Sequence, residues 1–235
     1  MEGEHMTKRI LALMLAVILG IMPLAALADN FVPSRAVAYM DSHFTCGCSR
    51  GGTGTMIGRY GLITAAHNLY CHQHGKPLKY CNFYFGAKSA NSCWYEYSGK
   101  FQYTVYETFQ NGYDSQNDIG YVIFDYPVGK ETGWFACIAG DDYTVDLESN
   151  HIYSYDGKRH LQSLSSVQHL YDSTQVYWNG YLSSSEGGPV YIWDEGADFP
   201  CLMAVYTSHD SDGNGYGRRL TQNVFNDMKA DGAFN

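Results

Sequence analysis

The sequence predicts an all-β protein built from two small antiparallel barrels and a C-terminal helix. Short runs rich in β-branched and aromatic residues recur along the 235-residue chain, among them "GLITAA", "IGYVIFDY", "QVYWNGYL" and "CLMAVYTSH". Clusters of Gly, Asn, Asp and Ser separate these runs, which is typical of a sandwich or barrel rather than of βαβ units. The length suits one sizeable core or two small ones.

The C-terminal segment "TQNVFNDMKADG" has a helical pattern instead. Thr221 can cap this helix, Val224, Phe225 and Met228 form one apolar face, and Gly232 can end it. The sequence therefore predicts a β-rich chain that finishes in a helix.

The first 28 residues have the features of a secretory signal peptide. Two basic residues precede the apolar run "ILALMLAVILGIMPLAAL", and "ALA" at residues 26–28 offers small residues for cleavage. A membrane anchor is the alternative, but the apolar core is short for a span. We therefore expect a secreted, extracellular protein whose mature chain begins at Asp29.

The charge balance is acidic, with 15 Lys and Arg against 24 Asp and Glu and a formal net charge of −9. Nucleic-acid affinity depends largely on Lys and Arg that neutralise phosphates, and no basic cluster is visible in the body of the chain. We therefore expect no nucleic-acid partner. We also expect no membrane partner after signal cleavage, and a monomer.

Two motifs could supply a catalytic base and its orienting acid. The strand-like run "GLITAA" ends in His67, and a histidine held at a strand edge can act as a general base near neutral pH. Asp118 precedes the apolar run of "NDIGYVIFD", so its carboxylate could be carried into the core, where an imidazole N–H is a natural partner. Taken singly, a histidine after a strand is more often an ordinary surface residue, and an aspartate before a strand is more often a turn residue.

A third motif, "SSSEGGPV", could supply a nucleophile loop. Gly187 and Gly188 permit a tight backbone with N–H groups turned to one side, as an oxyanion hole requires. A plain Gly-Gly-Pro turn between two strands is the alternative.

Together these motifs resemble the chymotrypsin-like serine proteases, and more closely their bacterial secreted branch, the glutamyl endopeptidase-like enzymes. "TAAH" matches the histidine motif of that family, "DIGYVIFD" resembles its aspartate motif, and "GGPVY" resembles the end of its serine motif. Further along, "NGYGRRLT" resembles the segment that leads into the C-terminal helix. The four motifs occur in family order and span essentially the whole mature chain.

The resemblance implies two six-stranded antiparallel barrels, at residues 29–130 and 131–235, with the active site in the cleft between them. His67 would be the general base, and Asp118 would orient its imidazole, both from the first barrel. The second barrel would supply the nucleophile and the oxyanion hole. The implied activity is a hydrolase that cleaves protein or peptide substrates through an acyl-enzyme, without a cofactor.

The pattern breaks at the nucleophile, because matching "GGP" without a gap puts Glu186 where the family has its serine. Three hypotheses follow: a one-residue bulge lets Ser185 attack, Glu186 replaces the serine in an inactive pseudoprotease that binds a partner, or Glu186 points to solvent. A carboxylate attacks amides poorly, and it would pair with a protonated His67 and so disable the base. The complete His/Asp pair favours an active serine endopeptidase that uses Ser185, with the pseudoprotease as the alternative.

Substrate preference cannot be carried over from the glutamyl endopeptidases. The position of their substrate-binding histidine corresponds here to Tyr206, with His209 three residues further on. Tyr206 could donate a hydrogen bond to an acidic substrate, or its ring could line an apolar pocket.

Seven cysteines lie in the mature chain, at positions 46, 48, 71, 81, 93, 137 and 201. Disulfides are the usual state of cysteines in exported proteins, and the family resemblance implies a bond from Cys46 or Cys48 to Cys71. A metal site is the alternative, since "CGC" and "HNLYCHQHGKPLKYC" are dense in Cys and His. His67-x3-Cys71 and Cys71-x9-Cys81 fit no standard zinc spacing, so we predict disulfides and no metal.

Overall fold

The computed structural model describes residues 33–112, 115–139, 150–166, 168–170, 174–182, 186–192 and 200–235. Two predictions lie outside these ranges, namely the signal peptide at residues 1–28 and the nucleophile Ser185. Residues Phe31–Asn235 group into one compact unit. In the described part of the chain, no helix has the length and apolar character needed to cross a bilayer.

The first half of the described chain folds into one antiparallel sheet. Its strands are β1 (Val37–Phe44), β2 (Ser49–Met56), β3 (Gly61–Thr64), β4 (Tyr70–Cys71), β5 (Lys76–Phe85), β6 (Tyr95–Tyr97), β7 (Phe101–Val105) and β8 (Gly120–Phe124). They pair in the order β4-β5-β1-β2-β3-β8-β7, with β6 on β5. Aromatic rings fill its interior, for example Phe83 edge-on to Phe124 at 4.9 Å between ring centroids.

The second half forms the other sheet. Its strands are β9 (Ala136–Cys137), β10 (Asn150–Tyr155), β11 (Leu161–Ser166), β12 (Gln168–Leu170), β13 (Gln175–Asn179), β14 (Pro189–Ile192), β15 (Cys201–His209) and β16 (Asn214–Arg219). They pair in the order β11-β10-β14-β15-β16-β13-β12, and β9 adds a short parallel pairing to β15. Its own small core includes the buried side chains of Val176, Trp178, Val190 and Tyr206.

Helices are few and short in the described residues. They are α1 (Glu107–Asn111), α2 (Gly129–Thr132) and α3 (Gln222–Ala230), together with 3₁₀ helices at Pro33–Ala36, Ala66–Asn68, His72–His74 and Ser115–Asn117. The C-terminal helix α3 buries Val224 and Met228, as its pattern predicts. Thr221 occupies the N-cap position but makes no capping hydrogen bond through its side chain.

Helix α3 belongs to the second half of the chain but is anchored on the first sheet. Asp227 accepts a hydrogen bond from the Tyr106 hydroxyl at 2.9 Å, and Asp231 accepts one from the Tyr121 hydroxyl at 2.6 Å. The predicted fold class is therefore confirmed: all-β, with two barrel-like antiparallel sheets and a C-terminal helix. Each sheet has eight strands in the described residues rather than six, because strands of only two or three residues (β4, β6, β9 and β12) extend it.

Candidate active site

Strand pairing in the first sheet brings His67 to Asp118. Strands β3 and β8 are antiparallel, with Thr64 opposite Gly120, so the end of β3 lies beside the beginning of β8. His67 sits three residues beyond Thr64, in the 3₁₀ helix Ala66–Asn68, and Asp118 sits two residues before Gly120. Two residues that are 51 positions apart in the chain therefore meet at one edge of the sheet.

The contact between them uses both carboxylate oxygens of Asp118. Oδ2 lies 2.7 Å from Nδ1 of His67, and Oδ1 accepts a hydrogen bond from the backbone N–H of His67 at 3.0 Å. The Asp118 side chain is fully buried, and that of His67 is 8% exposed. An ionised carboxylate only accepts hydrogen bonds, so the ring proton belongs on Nδ1. In the neutral imidazole, Nε2 then carries the lone pair. Within the described residues Nε2 has no hydrogen-bond partner.

Glu186 brings its carboxylate to the other side of the His67 ring. Its Oε2 lies 4.0 Å from Nε2 of His67, and its Oε1 lies 3.6 Å from Nδ1 of His209. Both distances exceed hydrogen-bonding range, yet they are short enough for electrostatic attraction to a protonated imidazole. The Glu186 side chain is 21% exposed, so it faces the two histidines rather than open solvent.

The backbone around Glu186 is fixed by the first sheet. Its carbonyl oxygen accepts hydrogen bonds from the Thr53 N–H at 2.9 Å and from Nδ2 of Asn68 at 2.8 Å. Asn68 is fully buried and also donates to the Thr64 hydroxyl at 3.0 Å. These bonds connect the loop to the 3₁₀ helix that carries His67, and they hold the Glu186 backbone beside that histidine.

Gly187 and Gly188 follow in a conformation that only glycine fits. Gly187 has φ of +105°, and a Cβ there would collide with the carbonyl oxygen of Thr53. A Cβ on Gly188 would collide with the carbonyl oxygen of Tyr153. The Gly187 N–H donates to the Tyr206 carbonyl at 2.6 Å, so this N–H is not available to an oxyanion.

Tyr206 lies beneath the cleft rather than on its wall. Its side chain is fully buried, and its hydroxyl donates to the Leu182 carbonyl at 2.9 Å. Burial, with the nearby Glu186 carboxylate adding to it, raises the pKa of Tyr206 above its usual 10. The cleft wall is formed instead by Thr207, Ser208 and His209. The His209 ring stacks on Tyr181 at 4.5 Å between centroids, with the planes 7° apart.

These side chains line a cleft of about 510 Å³, into which both halves of the described chain contribute. Arg50, His67 and Tyr70 come from the first half, and Glu186 and His209 come from the second. The predicted residues His67, Asp118, Glu186, Gly187 and Gly188 are thus brought together. The predicted nucleophile Ser185 lies outside the described residues, next to Glu186 in the chain.

Sequence reasoning missed the residues that hold Glu186. Thr53 and Asn68 are fully buried polar residues; Asn68 directly follows His67, and Thr53 lies 14 residues before it. A buried polar side chain requires a hydrogen-bond partner. For Asn68 that requirement was the available signal, although it does not name the partner. Thr53 holds Glu186 through its backbone N–H, which no side-chain pattern indicates.

All seven cysteines lie in the described part of the chain, and none of them is joined in a disulfide there. The disulfide between Cys46 or Cys48 and Cys71 is thus not shown and stays a prediction.

Comparisons with known proteins agree with this architecture. No protein-family model and no curated protein sequence matches the chain. Among solved structures, a Glu endopeptidase in complex with MPD superposes with a TM-score of 0.71 at 18% identity, over 88% of this chain and 94% of that one.

Two further solved structures match in the same way. A thermostable serine protease from an extremophilic microorganism gives a TM-score of 0.71 at 11% identity, over 86% of this chain and 99% of that one. The protease Anisep from Arthrobacter nicotinovorans gives 0.70 at 13% identity, over 86% and 97%. The predicted resemblance is confirmed at the level of structure: the chain has a chymotrypsin-like fold, which it shares with these proteases.

Proposed function

We propose that this protein is a secreted pseudoprotease, which binds a peptide or protein segment in its cleft without hydrolysing it. The observation that carries the proposal is the Glu186 carboxylate, 4.0 Å from Nε2 of His67. In a serine protease that nitrogen removes the proton of the attacking hydroxyl. A carboxylate has no such proton to give, and it attacks amides poorly.

The hydrogen bonds of the loop support the proposal that Glu186, rather than Ser185, has the nucleophile's place. The Glu186 carbonyl is held by Thr53 and Asn68, and Gly187 is held by Tyr206. Neither glycine after Glu186 has room for a Cβ, which supports aligning "GGP" with the serine motif without a gap. A one-residue bulge would have to break these contacts or lie wholly before Glu186.

An active serine endopeptidase that uses Ser185 is the second candidate. It is favoured by the intact contact between His67 and Asp118, at 2.7 Å and 3.0 Å. A buried carboxylate with both oxygens on one histidine is the arrangement that orients a general base.

Labelling with a fluorophosphonate, followed by peptide mapping, tests the two candidates. The proposal predicts no labelled serine and no hydrolysis of a broad peptide library, with the wild type and Ser185→Ala indistinguishable. A label on Ser185 that disappears in His67→Ala would replace the proposal with the active enzyme. A cooperative thermal transition in every variant is required, so that a misfolded sample is not read as an inactive one.

Binding needs a positive measurement of its own. Peptides selected from a displayed random library on the wild type should bind Ser208→Trp at least tenfold more weakly, because Ser208 lines the cleft. The matched control is Ser163→Trp, at an exposed position of β11. Equal binding by both variants, or no selectable peptide at all, would contradict a cleft-binding role.

A further inference from the structure

Four potential metal ligands meet at the rim of the cleft, at a place where the sequence predicts a disulfide. They are the thiols of Cys46, Cys48 and Cys71 and the imidazole of His74, and their ligand atoms all lie within 4.8 Å of one another. We propose that these four side chains bind one structural Zn²⁺ ion. This inference does not depend on whether the protein is an active protease or a pseudoprotease.

Each pair of ligands is brought together by its own local turn. Cys46 and Cys48 lie in the turn between β1 and β2, which is closed by the bonds Phe44 N–H to Cys48 O at 2.9 Å and Gly47 N–H to Phe44 O at 3.0 Å. Gly47 has φ of +90°, a left-handed conformation that glycine adopts without strain. The turn therefore brings together two thiols with a single residue between them, and we call this turn, Cys46–Cys48, the cysteine knuckle.

The second pair uses a 3₁₀ helix. Cys71 is the residue before the 3₁₀ helix His72–His74, and Gly75 ends that helix with φ of +59°. Residues three apart are eclipsed in a 3₁₀ helix, so Cys71 and His74 lie on the same side. Among the spacings around Cys71, those to His67 and to Cys81 were considered from the sequence, and Cys71-x2-His74 was not.

Strand β5 joins the two turns. It pairs with β1 on one side and with β4 on the other, where Cys71 lies opposite Lys76. The Thr45 N–H donates to the Pro77 carbonyl at 3.1 Å, which holds the cysteine knuckle beside the start of β5. The four ligands are therefore positioned by the sheet rather than by one flexible loop.

The distances fit a tetrahedral ion. Bond lengths of about 2.3 Å for Zn–S and about 2.0–2.1 Å for Zn–N give edges of about 3.8 Å between two sulfurs and about 3.6 Å between sulfur and nitrogen. Nδ1 of His74 lies 3.4 Å from Sγ of Cys48 and 3.4 Å from Sγ of Cys71. All four ligand atoms lie within 4.8 Å of one another, so no separation exceeds a tetrahedral edge by more than about 1 Å.

A disulfide explains the proximity of these three thiols and the imidazole less completely than a metal ion does. It would use two of the three thiols and leave the third thiol and His74 without a role, although the imidazole nitrogen is equidistant from two sulfurs. Three thiolates and one imidazole form a standard closed ligand set for structural zinc. Such a set leaves no open coordination position for a substrate, so the ion would have a structural role.

The proposed ion would support the segment that carries His67. Cys71 follows His67 by four residues, and both line the cleft together with Cys48. One ion would connect the β1–β2 turn to this segment and so restrict its movement. The zinc ion would thereby make the connection that the family resemblance assigns to a disulfide between Cys46 or Cys48 and Cys71.

Metal analysis of the full chain, purified from zinc-containing medium, tests the proposal. We expect one zinc per chain by mass spectrometry, and X-ray absorption should show three Zn–S contacts at about 2.3 Å and one Zn–N contact at about 2.0–2.1 Å. Replacement by Co²⁺ should give the visible bands of a tetrahedral ion together with thiolate charge-transfer absorption. This spectrum requires no variant, so it is informative even if a variant fails to fold.

Variants then assign the ligands. Cys71→Ser and His74→Gln should each bind zinc at least tenfold more weakly, whereas Cys93→Ser and His72→Gln should bind it like the wild type. His72 is a suitable control because its ring packs on Phe109, 5.8 Å away between centroids. Zinc binding unaffected by His74→Gln would overturn the four-ligand site. A protein without metal, whether its three thiols are free or two of them are joined in a disulfide, would overturn the proposal entirely.

Discussion

Removing the Asp118 carboxylate should destabilise the whole fold, whether or not the protein is an enzyme. Asp118 is fully buried and accepts two hydrogen bonds from His67, one from the ring Nδ1–H and one from the backbone N–H. Hydrogen bonds to a charged group contribute about 1.5–3 kcal/mol each. Because both donors would be left buried without a partner, we expect Asp118→Ala to lower the free energy of unfolding by about 3–6 kcal/mol. That is a large share of the roughly 5–15 kcal/mol typical of a domain.

Urea denaturation followed by tryptophan fluorescence measures this loss. Asp118→Asn keeps one oxygen to accept the backbone N–H, so its cost should fall between those of the wild type and Asp118→Ala. Asp125→Ala is the matched control, since Asp125 is exposed just after β8, and its effect should stay within about 0.5 kcal/mol. If Asp118→Ala were no more harmful than Asp125→Ala, the buried contact with His67 would not hold this edge of the sheet together.

Two further predictions concern the elements around the cleft. Gly188→Ala should abolish soluble expression or lower the melting temperature strongly, because a Cβ would collide with the Tyr153 carbonyl. Gly157→Ala should be tolerated, because a Cβ there meets nothing within 4 Å. Equal behaviour of the two variants would contradict the packing of the loop around Gly188. Hydrogen bonds from Asn214 hold the pKa of Asp210 down, at about 2 instead of 3.8, so its contribution to stability is present above pH 3.8 and lost as the pH falls towards 2. The difference in melting temperature between the wild type and Asp210→Asn should therefore shrink over that pH range, and a constant difference would show that the ionised carboxylate does not stabilise the turn.

The fold and half of the site could be predicted from local sequence. His67 closely follows the apolar strand β3 and Asp118 closely precedes β8, and antiparallel pairing of those strands brings the two residues together. The pattern of short strands and turns likewise predicted the two sheets, because alternation of apolar residues and placement of glycines are local properties.

The direction of the Glu186 side chain could not be predicted in the same way. The Glu186 backbone is held by hydrogen bonds from Thr53 and Asn68, which lie more than 100 residues earlier in the chain. The sequence shows three adjacent serines followed by a glutamate, but it does not show which backbone carbonyl of this loop Thr53 and Asn68 would hold. The cluster around His74 was missed for a similar reason, since its ligands come from two turns that only β5 brings together.

Glu186→Ser tests the central claim most directly, because it restores a hydroxyl where the account puts the lost nucleophile. Labelling with a fluorophosphonate should leave the wild type unmodified and should modify the Glu186→Ser variant at the introduced hydroxyl. The label should disappear when His67→Ala is added, and Glu186→Ala should remain unlabelled throughout. A wild-type protein labelled at Ser185, or a folded Glu186→Ser variant that takes no label, would contradict the account.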